Sequence, residues 1–323
     1  MNILLTCSDL YSKYAGILMT SILENHIGQT SKFHFFIMSV DIQEANKVIL
    51  YDITRKYGGK LDFIDVNIED QNKFPTLPSK WGIYTWMKLL APKYISEKTI
   101  LYLDSDIICC GNILDIENIN IDNCYIAIAP DTNGGGNHKK RLGMEDSSFY
   151  GCAGVVYMNL EKLRKDEMVD KFISFIHNNE NKLLLADQDV LNYMCNPYKK
   201  RLSIRFNLMD DFMYNSPLLL SEDMNDYYDS MKDIRLVHFM GFIKPWHSNC
   251  KNPLKFLFWK YANKSPYIIV KTKNDVINPI DKMKIWIKYI IQYLGIYQDY
   301  GIYISDRKLK KLMGSNKYEL MKS

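Results

Sequence analysis

The chain has 323 residues, of which 47% are hydrophobic and 24% are charged, and its formal net charge is only +4. A chain of this size and composition can bury a large hydrophobic core, which excludes intrinsic disorder. The small net charge gives no support for nucleic acid as a partner. The 7 cysteines include no CxxC pair, so we expect free thiols in a reducing compartment.

The first half of the chain alternates short apolar runs with helical patterns, and we predict four buried strands there. These strands are residues 2–7, 33–38, 61–66 and 99–103. Between the first two, apolar residues recur from Ala15 to His26 at the spacing of one helix face, which predicts an amphipathic helix.

A second helix is predicted between the second and third strands. Asp41 and Glu44 have the spacing of a capping box, and a Gly-Gly pair at 58–59 supplies a stop. The buried stripe of this helix is expected to consist of Ala45, Val48, Ile49 and Ile53.

Further strands are predicted at residues 124–129, 155–158 and 234–239, with a short helix at 187–194. This alternation predicts an α/β fold, a Rossmann-like single domain with a mixed, mostly parallel central sheet. Ligands of such sheets bind at the carboxyl ends of the strands. Aromatic residues and lysines become interleaved after about residue 250. We therefore divide the chain into an α/β region at 1–250, in which the catalytic site is expected, and a helical, basic extension at 251–323.

Two carboxylates directly follow the fourth predicted strand. Asp104 and Asp106 flank Ser105 at the rim of the sheet where ligands dock. Hard oxygen donors at this spacing suit a divalent cation, which in turn suits a diphosphate. An Asx-type turn that ends the strand is the alternative explanation.

Small residues at 151–154 precede a later strand and would permit close backbone approach to a ligand, although tight strand packing explains them equally well. Asp187, Gln188 and Asp189 open the predicted helix, where carboxylates favour the positive end of the helix dipole. N-capping alone would account for one of the two aspartates.

A histidine, a glycine and a lysine follow the last predicted strand. His238 offers a metal ligand, Gly241 permits backbone approach, and Lys244 offers a cation for phosphate. A single histidine at a strand end is also compatible with a purely structural role.

Together these segments resemble the family-8 retaining glycosyltransferases, which have a GT-A fold. Tyr-Leu-Asp-Ser-Asp, the Ala-Gly-Val-Val-x-x-Asn-Leu strand, Asp-Gln-Asp-Val-Leu-Asn and His-x-x-Gly-x-x-Lys-Pro-Trp-His occur in that family's order and approximate spacing. The resemblance is greatest to the bacterial lipopolysaccharide and lipooligosaccharide galactosyl- and glucosyltransferases. It implies transfer of a hexose from a UDP-sugar to a glycolipid or surface-polysaccharide acceptor, with an α-linked product.

The resemblance also implies particular site residues. Asp104, Asp106 and His238 match ligands for Mn²⁺, with Mg²⁺ as an alternative, and Gly241 and Lys244 match the residues that hold the diphosphate. The donor-binding positions are Thr6, Ser8, Tyr11, Lys88, Asp104, Ser105, Cys152, Ala153, Asp187, Gln188, Gly241 and Lys244, and Asp131 falls on the acceptor side.

Two departures from the family pattern bear on the sugar. Cys152 stands where an asparagine usually touches the donor sugar, and Lys88 replaces the usual arginine, so the charge remains without the planar fork. Gln188 is a poor nucleophile, so we favour a same-face mechanism in which it stabilises the oxocarbenium-like centre. Asp187 is the alternative nucleophile of a double displacement.

The segment 281–293 is a candidate basic, aromatic amphipathic helix, and positive charge continues through Arg307, Lys308, Lys310 and Lys311. Such a segment predicts peripheral association with the inner, cytoplasmic face of the membrane. The alternative is a helix packed on the catalytic region.

Other functions remain open on the sequence. They are a nucleotidyltransferase, a catalytically silent UDP-sugar-binding protein and a protein-glycosylating member of the same family. The sequence has no Gly-rich, Lys-bearing loop near the N-terminus, which counts against the nucleotidyltransferase.

Overall fold

The computed structural model of the chain describes residues 1–75, 82–272 and 303–322. Its strands form two sheets. The strands are β1 (Asn2–Thr6), β2 (His34–Ser39), β3 (Lys60–Asp65), β4 (Thr99–Leu103), β5 (Ile107–Cys109), β6 (Ile126–Pro130), β7 (Gly151–Asn159), β8 (Lys199–Arg201), β9 (Leu208–Met209) and β10 (Leu236–His238).

The larger sheet has the strand order β3-β2-β1-β4-β7-β6-β8, and the smaller one has the order β5-β10-β9. The first four strands of the larger sheet are parallel, as are β6 and β8, whereas β7 runs antiparallel to both of its neighbours. The predicted α/β fold with a mixed, mostly parallel central sheet is therefore confirmed.

Helices cover both faces of the larger sheet. The helices are α1 (Ser12–Glu24), α2 (Glu44–Tyr57), α3 (Ile68–Gln71), α4 (Tyr84–Met87), α5 (Ala91–Tyr94), α6 (Asn137–Leu142), α7 (Leu160–Lys165), α8 (Met168–Asn179), α9 (Asp187–Met194), α10 (Met224–Lys232), α11 (Lys255–Ala262) and, near the C-terminus, Asp306–Met313 and Ser315–Lys322. Trp86 and Phe172 belong to the apolar cluster on one face, and Leu18 and Ile53 belong to the cluster on the other. Strands β1, β4 and β7 are buried along nearly their whole length, which is why they read as continuous apolar runs.

Strand β4 and helix α9 have the bounds that the sequence predicts. Strand β7 is longer than predicted, because it begins at Gly151 and includes the small residues. The short strands β5 and β9 were not predicted. All of the cysteines are free thiols, as expected.

The predicted start of α2 is wrong, and its predicted buried face is right only in part. The residue that precedes this helix is Gln43, and the Asp41 carboxylate instead accepts a hydrogen bond from the backbone N–H of Asp9 at 3.0 Å. Ile53 is buried as predicted, Ile49 is half-buried, and Ala45 and Val48 are exposed. The predicted stop is confirmed, since the next residue has a left-handed conformation that glycine adopts without strain.

Residues on both sides of position 250 share a third apolar cluster. Leu257 and Phe258 of α11 are buried with Tyr14 of α1, and Leu309 and Met313 from the helix Asp306–Met313 join the same cluster. None of the described helices combines the length and apolar character needed to cross a bilayer. The candidate amphipathic helix at 281–293 lies outside the described residues.

Candidate active site

The site forms where several elements end on one side of the sheets. Asp104 follows the last residue of β4, His238 is the last residue of β10, and Asp187 is the first residue of α9. The antiparallel register of β10 with β5 pairs His238 with Ile107, which directly follows Asp106. This pairing brings residues that are far apart in the sequence to one place.

Asp104, Asp106 and His238 each direct one donor atom into a common space, and these atoms lie within 4.8 Å of one another. The Nε2 atom of His238 is 3.2 Å from Oδ1 of Asp106 and 3.7 Å from Oδ2 of Asp104. Oδ1 of Asp106 is buried and accepts no hydrogen bond from the described residues. The His238 Nδ1 atom lies 3.0 Å from Oδ1 of Asn207, which leaves Nε2 to act as a ligand. Two carboxylates and an oriented imidazole fit a divalent cation.

His238 is held in place by its neighbours in the interior. A Cβ atom at position 154 would lie 2.1 Å from the His238 ring, so only glycine fits there. The atoms that come closest to Gly154 are those of the His238 ring, so this glycine makes room for the imidazole. Cys152 is also buried, with its sulfur 3.9 Å from His238 Nδ1, so the thiol faces the histidine.

Lys244 supplies a buried positive charge beside the same carboxylates. Its Nζ donates to Oδ2 of Asp106 at 2.5 Å and to the carbonyl of Phe239 at 2.7 Å. Burial alone would raise the pKa of Asp106, but Lys244 and His238 more than offset this effect and hold the pKa below its ordinary value. Gly241 packs against Asp210, whose carboxylate oxygen would be 3.2 Å from an added Cβ.

Lys88 lies beneath the site rather than at its surface. Its ammonium is 2.7 Å from Oδ2 of Asp187 and 3.5 Å from Oδ1 of Asp104, and it donates to the carbonyl of Ala153 at 2.9 Å. Burial opposes the charge of Lys88, but the two carboxylates more than offset this and raise its pKa well above the ordinary value. Burial also raises the pKa of Asp187 to about 6, with Lys88 opposing the rise.

Gln188 connects β7 to the residue that follows β6. Its Oε1 accepts from the backbone N–H of Ala153 at 2.9 Å, and its Nε2 donates to Oδ2 of Asp131 at 2.8 Å. Burial raises the pKa of Asp131 to about 6. The amide is therefore held in one orientation by both of its ends.

The remaining predicted donor-binding residues are Thr6 at the end of β1, Ser8 and Tyr11 in the turn that follows, and Ser105. The Thr6 hydroxyl lies 3.1 Å from the Tyr102 hydroxyl, which itself donates to Asp104 at 2.5 Å. Tyr11 remains 45% exposed, and its ring meets that of Tyr14 edge to face at 5.3 Å, so part of the ring is open to a ligand. The backbone carbonyl of Ser8 accepts bonds from the turn that follows it. The Ser105 hydroxyl is buried and has no hydrogen-bond partner among the described residues.

Direct contacts connect most of the predicted site residues, namely Lys88, Asp104, Asp106, Asp131, Cys152, Ala153, Asp187, Gln188, His238 and Lys244. Ser8 and Tyr11 lie in the turn after β1. Three further residues of the site were missed by sequence reasoning. Asn207 orients His238, Tyr102 donates to Asp104, and Asp210 lies against Gly241. No motif marks Asn207, whereas Tyr102 is the first residue of the Tyr-Leu-Asp-Ser-Asp motif and was given no role of its own. The adjacent aspartates at 210 and 211 were a usable signal, because paired carboxylates shortly after an apolar run resemble the predicted metal motif.

Comparisons with known proteins give a consistent result. The family model for glycosyl transferase family 8 matches residues 2–250. A putative glycosyltransferase of Haemophilus influenzae is 29% identical over 261 residues, covering 78% of this chain and 74% of that protein. A lipopolysaccharide 1,2-glucosyltransferase of Escherichia coli is 28% identical, covering 82% of this chain and 79% of that protein.

The fold is also similar to solved structures. A galactosyltransferase in complex with donor and acceptor sugar analogues aligns with a TM-score of 0.75 and 24% identity, covering 83% of this chain and 97% of the other. The glycosyltransferase GlyE of Streptococcus pneumoniae aligns with a TM-score of 0.61 and 18% identity, covering 90% and 64% of the two chains. At these identities the likeness bears on the fold alone.

Proposed function

The chain belongs to glycosyltransferase family 8, and from this premise we propose that it transfers glucose or galactose from a UDP-sugar to a glycolipid or surface-polysaccharide acceptor, with retention of the α configuration. The observation that carries the proposal is the convergence of Asp104, Asp106 and His238 beside Lys244 and Gln188. The acceptor class is supported by relatives named as lipopolysaccharide 1,2-glucosyltransferase and 1,3-galactosyltransferase.

Two positive charges, a divalent cation and Lys244, would hold the negatively charged diphosphate of the donor. Asp104, Asp106 and His238 would hold a divalent cation, with Mn²⁺ proposed over Mg²⁺, and the cation would neutralise charge that develops on the leaving diphosphate. Lys244 adds a second positive charge from the opposite side of Asp106. The ring of Tyr11 is 45% exposed in the turn between β1 and α1 and is proposed to stack on the uracil.

The arrangement of Gln188 and Asp187 favours the same-face mechanism. Gln188 has an amide in place of a nucleophilic carboxylate, and both of its ends are hydrogen-bonded. Asp187 is ion-paired with Lys88 at 2.7 Å, which lowers the nucleophilicity of its carboxylate. In this mechanism the bond from the anomeric carbon to the phosphate oxygen breaks. The acceptor oxygen then forms its bond on the same face and gives its proton to the departing phosphate.

Asp131 is proposed to lie on the acceptor side. Its carboxylate accepts the Gln188 amide at 2.8 Å, so a hydroxyl bound near Asp131 is also near the group proposed to stabilise the anomeric carbon. This placement would orient the acceptor oxygen for attack, and such positioning lowers the barrier of a two-substrate reaction.

The experiment is an assay of UDP release from UDP-glucose and UDP-galactose with Mn²⁺, with and without EDTA. We expect slow hydrolysis of one donor that requires Mn²⁺ and is lost in Asp106→Asn. Asp229→Asn is the matched control, since the side chain of Asp229 is 67% exposed and pairs with Lys232 on the surface. Failure of the unaltered chain to bind UDP in the presence of Mn²⁺ would contradict the proposal. UDP binding without release from any donor would favour the catalytically silent UDP-sugar-binding protein.

Peripheral association with the cytoplasmic face of the membrane belongs to the same proposal. A lipid-linked acceptor lies at the membrane surface, and the segment 281–293 has the lysines and aromatic residues that anionic headgroups attract. The test is sedimentation with vesicles of phosphatidylglycerol and phosphatidylethanolamine. Lys284→Gln with Lys288→Gln should weaken binding by about 1 kcal/mol per lysine, whereas Lys98→Gln with Lys232→Gln should not. Equal binding by both double variants would contradict membrane association through this segment.

A further inference from the structure

The residue before Asp187 has a strained backbone. Ala186 has φ 47° and ψ −121°, a conformation that glycine adopts readily and a residue with a Cβ atom does not. The backbone N–H of Gln188 donates to the carbonyl of Leu185 at 3.0 Å and closes a four-residue turn around Ala186. These dihedral angles are close to those of the first central residue of a type II′ turn.

A buried carboxylate holds this turn from the other side. Asp189 is fully buried, and its Oδ2 accepts from the backbone N–H of Leu185 at 2.8 Å. The same carboxylate accepts from Nη2 of Arg141 at 2.5 Å and from the Tyr150 hydroxyl at 2.7 Å. Strained residues at functional sites persist only where the surrounding structure determines their conformation in this way.

Arg141 is itself fixed to two further groups. Its Nε donates to the carbonyl of Lys182 at 2.7 Å, and its Nη1 lies 2.6 Å from Nδ1 of His138. Arg141 lies on α6, the helix that follows the loop after Asp131. The contact with Asp189 therefore connects the segment after Asp131 to the first turn of α9.

A capping role alone does not require this arrangement. A carboxylate in the first turn of a helix stabilises that helix without a buried arginine partner. Here the Asp189 carboxylate accepts the backbone N–H of Leu185, the residue before Ala186. The two residues between Ala186 and Asp189 are Asp187 and Gln188. If the turn relaxed, both side chains would move relative to their partners.

We propose that Asp189, held by Arg141 and Tyr150, is a positioning residue that maintains the strained turn at Ala186 and thereby orients Asp187 and Gln188 for the reaction. This inference rests on the proposed function. Asp189 touches neither the donor nor the acceptor and acts through its neighbours. Its removal should therefore lower kcat and leave the affinity for UDP nearly unchanged.

The decisive test is a suppressor experiment with the UDP-sugar hydrolysis assay. Asp189→Asn should lower kcat by about 10- to 100-fold, the range expected from a misplaced reacting group, with KM for the UDP-sugar within about twofold. Adding Ala186→Gly to this variant should restore most of kcat, because glycine adopts the turn without strain and no longer needs the carboxylate. Ala186→Gly alone is the reference for the double variant. If Asp189 only stabilised the fold, Asp189→Asn would lower the free energy of unfolding and leave kcat per folded molecule unchanged.

A milder variant covers a failure of Asp189→Asn to fold. Arg141→Lys keeps the positive charge but replaces the three nitrogens that reach separate partners by a single ammonium, so it should also lower kcat more than it changes KM. Equal rates for Asp189→Asn and the unaltered chain, or equally slow rates with and without Ala186→Gly, would overturn the inference while leaving the proposed function intact. Absence of UDP-sugar turnover in the unaltered chain would instead refute the proposed function.

Discussion

The ion pair beneath the site makes a quantitative prediction about stability. Lys88 is only 3% exposed, and its ammonium is the counter-ion of Asp187 at 2.7 Å, while Asp187 is 5% exposed. The substitution Lys88→Met keeps the length of the side chain and removes its charge. It leaves a buried carboxylate without a partner, and it also removes the donor to the Ala153 carbonyl.

The expected cost follows from the burial of both partners. Breaking a buried pair by removing one charge destabilises a protein by about 3–5 kcal/mol. Without Lys88 the pKa of Asp187 should rise further above about 6, because the ammonium is the main group that lowers it. Protonation of Asp187 near neutral pH then limits the cost toward the lower end of this range.

A double-mutant cycle separates this effect from loss of packing. Asp187→Asn in the Lys88→Met background should recover much of the lost stability, with a coupling free energy of about 2–3 kcal/mol. The measurement is the free energy of unfolding in urea for the four proteins. Lys232→Met is the control, because Lys232 and Asp229 are both 67% exposed and such surface pairs contribute about 0–1 kcal/mol.

Two results would refute this reasoning about Lys88. One is a cost of less than about 1 kcal/mol for Lys88→Met, below the range for a buried unpaired charge. The other is strict additivity of Lys88→Met and Asp187→Asn, which would mean that the two side chains do not interact.

Three further predictions concern the metal ligands and the stability of the chain. Asn207→Ala removes the partner 3.0 Å from His238 Nδ1, so Mn²⁺ binding measured by electron paramagnetic resonance should weaken by about 10- to 100-fold; unchanged binding would contradict this role. Lys244→Met should bind Mn²⁺ alone more tightly, because the ammonium 2.5 Å from Asp106 opposes a cation there. In the unaltered chain, UDP should strengthen Mn²⁺ binding by about 5- to 150-fold, the usual range of coupling between two ligands. Lys244→Met should lose this enhancement, and weaker Mn²⁺ binding by the variant without UDP would contradict the prediction. Burial alone would raise the pKa of Asp70, but Lys93, Tyr94 and Lys73 more than offset this and hold it below the ordinary value, so this carboxylate stabilises the fold above about pH 4. Asp70→Asn should therefore cost about 1–3 kcal/mol at pH 7, and the difference in urea unfolding should shrink as the pH falls below about 4; a constant difference would contradict it.

Local patterns in the sequence were sufficient to predict the main elements. The bounds of β4 and α9 are as predicted, because a continuous apolar run and a helix opening with carboxylates are local signals. The strands β5 and β9 have only three and two residues, too few for any periodicity to appear. The start of α2 was wrong because the carboxylate of Asp41 bonds the backbone of Asp9 instead of capping the helix.

The sequence predicted which residues belong to the site, but not which of them contact one another. The motifs identified the candidate ligands Asp104, Asp106 and His238, together with Lys244, because their residue types and spacing suit a cation and a diphosphate. The role of Gln188 came from the family resemblance. The sequence contains no sign that Lys88 would be buried beneath these residues. That placement depends on how α4, β4 and α9 pack together in three dimensions.

The sequence by itself determined the alternation of strands and helices and the chemistry available at the strand ends, since both depend on residues close together in the chain. Only the tertiary structure decided which of these groups meet. The register of β10 on β5, with His238 opposite Ile107, brings the imidazole to Asp106. Arg141 and Tyr150, which lie in other segments, likewise reach Asp189 beside the strained turn at Ala186. These contacts join residues across long stretches of chain, and their geometry is set by strand pairing and packing rather than by any local pattern.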